Sequence, residues 1–156
     1  MMSHSMDFDV IRRLVEGAFP EGEPLRRISL SDCENNPEAV GDRELYGHYT
    51  WRSLPAYTIR RYSEGPYYFD SDAQFYYYPR FLLSMVDPDS DMDVYTGMRL
   101  TEDPLLAEGY WNRLSQPQQD VVLKVLDVAI TSDDLEDEQR DRLVTMRVAL
   151  QEVRGR

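Results

Sequence analysis

Residues 75–93 read FYYYPRFLLSMVDPDSDMD, a run of aromatic and aliphatic side chains that ends in aspartates at every second position. Two readings compete: rings flooring a site with carboxylates as ligands, or a buried helix closed by a polar turn. The spacing favours the helix. After Pro79 only Arg80 and Ser84 are polar before Asp87, and four residues apart they share one narrow stripe. Phe81, Leu82, Leu83, Met85 and Val86 cover the remaining circumference, which predicts a helix apolar on most sides and therefore central. Fully burying each such side chain contributes about 1.5 to 3 kcal/mol. Pro79 has no amide donor, so a bend or a new helix start is expected near Tyr78, with Ser71 or Asp72 capping the turn before it. Asp87 precedes Pro88 and is pushed out of the helical region, which ends the helix and makes Asp-Pro-Asp-Ser a turn.

Working towards the N-terminus, Pro55 opens a short helix, PAYTIRRY, and Ser63 to Pro66 is a turn. Pro37 in a first turn, followed by Ala39, Val40, Leu45, Tyr49 and Trp51, predicts one broken or two short helices interrupted near Gly41 or Gly47. The stretch EGEPLRRISLSDCENNPEAVG is loop, with an extended piece at Leu25 to Leu30. Phe8, Ile11, Leu14, Val15, Ala18 and Phe19 recur at helical steps, giving a helix from about Asp7 to Phe19 that Pro20 stops. Residues 1–6 are expected to be flexible.

Towards the C-terminus, Pro104 to Leu114 reads as a helix with Leu105, Leu106, Tyr110, Trp111 and Leu114 inward. Ser115 with Gln118 is a capping box, and Pro117 suits a first turn, so a helix follows from about Gln116 to Ile130. Thr131 with Asp134 offers a second capping box for a last helix from about Asp133 to Val153, whose inward stripe is Leu135, Gln139, Leu143, Met146, Leu150 and Val153. Strand alternation is confined to Tyr67 to Phe69. The expectation is an all-α fold: one compact multi-helix domain over 1–156, with room for one short strand or extended segment, and residues 133–154 packed on it as the C-terminal helix.

At 156 residues the chain is long enough to bury a core without metal or disulfide support. A net charge of −12, with no lysine or arginine cluster larger than a pair, argues against nucleic acid and favours a basic protein partner. The single cysteine, Cys33, forms no internal bridge, and no apolar run approaches the roughly 20 residues that cross a bilayer. Cytoplasmic residence and no membrane contact are therefore expected. Lys124 is the only lysine, an arginine bias that suits a GC-rich bacterial genome.

Candidate chemistry is sparse. Asp87, Asp89, Asp91 and Asp93 share the alternation of a calcium loop, but the sixth position is Met92 where glycine is needed and the twelfth is Met98 where a bidentate glutamate closes the shell. Asx turns explain the spacing better. Glu44 and His48 share a helix face and supply two ligands at most, with His4 a poor third. No base stands ready to activate a nucleophile, and no phosphate-binding glycine loop is present, so neither catalytic residues nor a cofactor or metal is assigned. The rings Tyr67, Tyr68, Phe69, Phe75, Tyr76, Tyr77 and Tyr78 read as core packing, with hydroxyls reaching the surface or a buried carbonyl. The rival reading makes Tyr76 or Tyr77 line a pocket with nearby carboxylates, for a small ligand or an enzyme. Asp133, Asp134, Glu136, Asp137 and Glu138 read as the solvated first turns of the last helix, and with Asp87, Asp89, Asp91 and Asp93 they are the candidate surface for a protein partner. The apolar stripe of the last helix leaves a homodimer open.

Several residues in order carry a likeness: Ala18-Phe19-Pro20, Cys33-Glu34, Trp51 with Leu54, Tyr77-Tyr78-Pro79 then Leu82-Leu83, Asp87-Pro88-Asp89-Ser90, and Leu114 with Gln118 or Gln119 before a Val/Leu helix. Over roughly residues 8 to 130 the chain resembles an uncharacterised bacterial family, a domain of unknown function; it departs from it at Asn35 to Asp42 and in the last helix. The resemblance implies a soluble helical domain and transfers no catalytic residue. The best functional expectation is a small acidic protein-binding module, of the kind an immunity or antitoxin protein uses to mask a basic effector.

Overall fold

A computed structural model of the chain describes residues 4–22, 37–61, 69–88, 94–106, 110–133 and 135–154. They form α1 (His4–Ala18), α2 (Pro37–Tyr46), α3 (Ala56–Arg61), α4 (Ser71–Ser84), α5 (Val94–Leu106), α6 (Tyr110–Arg113), α7 (Gln116–Ile130) and α8 (Asp137–Arg154), with no strand among the described residues. The fold is all-α. The expected extended piece at Leu25 to Leu30, Tyr67 and Tyr68, and the turn at Ser63 to Pro66 lie outside the described residues.

The apolar run after Pro79 takes the central place that its pattern predicts. Tyr77, Tyr78, Phe81 and Leu82 are at most 1% exposed, and α4 touches α1, α5 and α7. The contacts close a circuit: α4 on α5, α5 on α8, α8 on α7 and α7 back on α4, with α1 laid against both α4 and α7. One core fills the enclosed space, from Ile11 and Val15 through Trp51 and Leu54 to Val122, Leu126, Leu143 and Leu150. Gly97 lets α4 and α5 approach closely, since a Cβ there would stand 2.9 Å from Met85 Cγ and 3.3 Å from its Cα.

Pro79 neither bends the chain into two helices nor starts one; α4 runs continuously from Ser71 to Ser84. A proline inside a helix costs about 3 kcal/mol, and burial of rings on both sides of it offsets this. The N-cap is Asp70 rather than Ser71 or Asp72: its carboxylate accepts from the Ala73 amide at 2.9 Å. Similarly, Pro104 lies inside α5, whose start at Val94 the pattern does not announce. Met98, Thr101 and Leu105 then set the inward face, which turns Leu106 outward, against expectation, to 53% exposure.

Helix α2 passes through Gly41 and stops before Gly47, and α1 begins at His4, so residues 4–6 are helical. The capping box at Ser115 and Gln118 forms in full. The second, Thr131 with Asp134, includes a residue outside the described ones. Thr131 closes α7 by donating its Oγ1 to Val128 O at 2.7 Å, and α8 starts four residues late, at Asp137, where Gln139 Oε1 accepts from the Glu136 amide. Gln139 is therefore half-buried at a helix start rather than part of the inward stripe. That stripe runs Leu143, Met146 and Leu150 to Arg154, leaving Val153 at the edge, 43% exposed.

Candidate functional site

Two places compete for function: the tyrosine-rich approach to α4 and the acidic segments. The first is occupied by structural work. Helix α1 ends at Ala18 with Pro20 close behind, so its last carbonyls lack donors from a following turn. Other elements bind these and the carbonyls just beyond the helix: Arg52 donates to Glu16 O and Phe19 O, Gln118 Nε2 to Ala18 O, Trp51 Nε1 to Pro20 O, and Tyr76 Oη to Glu21 O at 2.9 Å. The Tyr77 hydroxyl donates to Tyr46 O at 2.7 Å and reaches Tyr49 O at 3.1 Å, at the end of α2. Arg80 Nε donates to Leu54 O at 3.0 Å, Tyr110 Oη to Ser71 O, and Gln119 Nε2 to Trp111 O. Rings of Tyr46, Phe69, Tyr76 and Tyr77 pack edge to face or tilted, with centroids 4.8 to 6.4 Å apart.

Burial drives the electrostatics of this region. It pushes the Tyr77 and Tyr78 hydroxyls well above the ordinary tyrosine value. The Tyr110 hydroxyl is pushed up to about 12, with Arg113 pulling the other way. Burial also lowers Arg80, while the Asp87 carboxylate acts in the opposite sense. Tyr77 is fully covered and so lines no pocket, which removes it from the small-ligand reading; Tyr76 keeps an exposed edge with its hydroxyl engaged. No residue pattern pointed to Arg80, Gln119 or Arg52 as donors to main-chain carbonyls of other segments. The one available signal was Arg80 itself, a lone charge in an apolar helix that must find an acceptor.

The acidic segments separate. Asp87 is half-buried at the foot of α4, and Asp89, Asp91 and Asp93 lie outside the described residues. Asp133, Glu136, Asp137 and Glu138 are exposed together at the head of α8, with Asp134 outside the described residues. Among the described residues no group of three histidine, cysteine, aspartate or glutamate side chains is placed to hold a metal ion. Glu44 and His48 are both exposed on the end of α2 and the turn after it.

The head of α8 owes its character to where the arginines of that helix point. Arg140 donates to Ile130 O and Ser132 O in the turn from α7. Arg142 pairs with Glu102 of α5 at 2.8 Å, and Arg147 and Arg154 pair with Asp127 and Asp120 of α7. All four positive charges are drawn onto the chain's own neighbours. Asp137, Glu138, Asp141 and Glu152 are exposed and form no ion pair with any described residue. Sequence spacing showed the acids, but not that the arginines between them face away.

Comparison with family models, with curated proteins and with solved structures finds no match for this chain.

Proposed function

We propose that the chain is a protein-binding module that recognises a basic surface, and that its more specific role is that of an immunity or antitoxin protein masking a basic effector. The observation that carries the reading is the segregation of charge on α8: four arginines tied to α5, α7 and the turn before the helix, and carboxylates left facing solvent. With 29 acidic against 17 basic residues, the long-range field has the same sign as that face, and it would steer a cationic partner towards it. The tyrosine-rich segment does not compete for this role, because its hydroxyls hold helix ends and its central rings are closed off. A homodimer through the inward stripe of α8 has no support either, since Leu143, Met146 and Leu150 are buried against the chain's own helices.

The test uses the full chain as bait in a lysate of its native host at two ionic strengths. Capture of a basic protein near 0.05 M salt, largely lost near 0.5 M, is the expected result, because surface charge pairing is screened over about 10 Å at 0.1 M. No capture at low salt, or a partner indifferent to salt, overturns the proposal.

A further inference from the structure

Helix α8 has a second face that its own chain leaves uncovered. Val144 and Val148 are one turn apart and 41% and 49% exposed. Asp141 stands one turn before Val144 and Glu152 one turn after Val148, so the valines interrupt a row of carboxylates, begun by Asp137, that pair with none of the described residues. We infer that this face is a docking strip for an amphipathic helix of a partner protein, one carrying aliphatic side chains four residues apart with lysine or arginine on both flanks. The inference rests on the reading above and assigns its location.

Charge complementarity selects this occupant. A second copy of the chain, laid antiparallel with Val144 opposite Val148, would bring Glu152 next to Asp141. The arginines that could relieve that repulsion are held by Glu102, Asp127 and Asp120. A basic helix meets the same row with opposite charge, and its aliphatic residues cover the two valines in the helix-on-helix manner of i, i+4 anchors. A purely polar partner would leave the valines wet, and a purely apolar one would strip water from carboxylates without replacing it.

The probe is a synthetic helical peptide with leucines at i and i+4 flanked by lysines, titrated into the isotope-labelled full chain and followed by amide NMR shifts. Changes concentrated at Asp137, Asp141, Val144, Val148 and Glu152 are expected. Val144→Ser/Val148→Ser should weaken binding about tenfold or more, as should Asp141→Asn/Glu152→Gln, which leaves the valines intact. Both variants change exposed positions, and unaltered circular dichroism and melting verify that they fold. Equal affinity of the valine variant, shifts centred on another acidic surface, or equal binding of a peptide with glutamines for lysines each overturn the inference. So does a shift of the same residues with protein concentration alone, which identifies a second copy as the occupant. If lysate capture persists undiminished in the valine variant, the docking strip is wrong and the basic-partner reading stands; if the unaltered chain captures nothing, the reading itself falls.

Discussion

Two adjacent tyrosines show how differently identical side chains can serve one helix. The Tyr77 hydroxyl donates to the Tyr46 carbonyl at the end of α2 and lies near that of Tyr49 in the turn beyond, whereas the Tyr78 hydroxyl, equally buried, has no partner among the described residues. Tyr77→Phe should cost about 0.5 to 1.5 kcal/mol in denaturant unfolding, because it removes a buried hydroxyl's hydrogen bond to the Tyr46 carbonyl, which keeps the Tyr49 amide as its other donor; Tyr78→Phe should be neutral or stabilising. Equal losses would show that Tyr78 has an acceptor. The buried hydroxyls also set a pH limit. An unfolded tyrosine ionises at 10.0, while Tyr110 in the fold is raised to about 12, and Tyr77 and Tyr78 are raised as well. A raised value means that these groups leave stability unchanged below pH 10, and that stability falls as pH climbs from 10 towards and beyond 12, where the unfolded chain releases protons that the folded one retains. Tyrosinate absorbance should therefore show a late fraction that appears only with loss of helical ellipticity; smooth titration of all tyrosines near pH 10 in folded protein contradicts this. That these rings belong to the core was legible from their place ahead of an apolar helix. Which carbonyl each hydroxyl finds was not, since Tyr76 reaches back 55 positions to Glu21 and no local rule spans that distance.

At the scale of elements, local signals succeeded where they were complete. Helix α7 has a Ser-x-x-Gln capping box at one end and a polar turn at the other, and its limits match expectation. Helix α5 escaped notice because its inward face includes Thr101 and its segment contains Gly97, features that weaken a helical pattern yet serve close packing on α4. Pro79 misled for the opposite reason: a strong local preference to break a helix is overridden when the surrounding side chains are buried on both sides, as Tyr77, Tyr78, Arg80 and Phe81 are. Gly97→Ala tests the α4–α5 contact. In an exposed helix the change gains about 1 kcal/mol, whereas here the new methyl group meets Met85, including its backbone, so a net loss of about 1 to 2 kcal/mol is expected. A stabilised variant would show that the two helices separate without cost.

For the molecule as a whole, a net charge of −12 opposes compactness, and the ion pairs Arg142–Glu102, Arg147–Asp127 and Arg154–Asp120 are too exposed to offset it, each contributing about 0 to 1 kcal/mol. Raising salt from about 0.02 to 0.2 M should raise the melting temperature by a few degrees as self-repulsion is screened. A fall would mean that the pairs outweigh the repulsion. The circuit of α4, α5, α8 and α7 explains why one apolar segment was informative about the architecture: the helix with the widest apolar surface is buried without a break from Tyr77 to Ser84. The acidic side of α8 was less legible, because its character depends on arginine side chains crossing to other helices. The central claim is that α4 is the innermost helix and its rings are structure rather than site. Residue-resolved hydrogen exchange tests it most directly: amides from Tyr77 to Ser84 should be the slowest in the chain, exchanging only through global unfolding, with α8 opening earlier. Faster exchange in α4 than in α8 would contradict the account and return the tyrosine-rich segment to consideration as a binding surface.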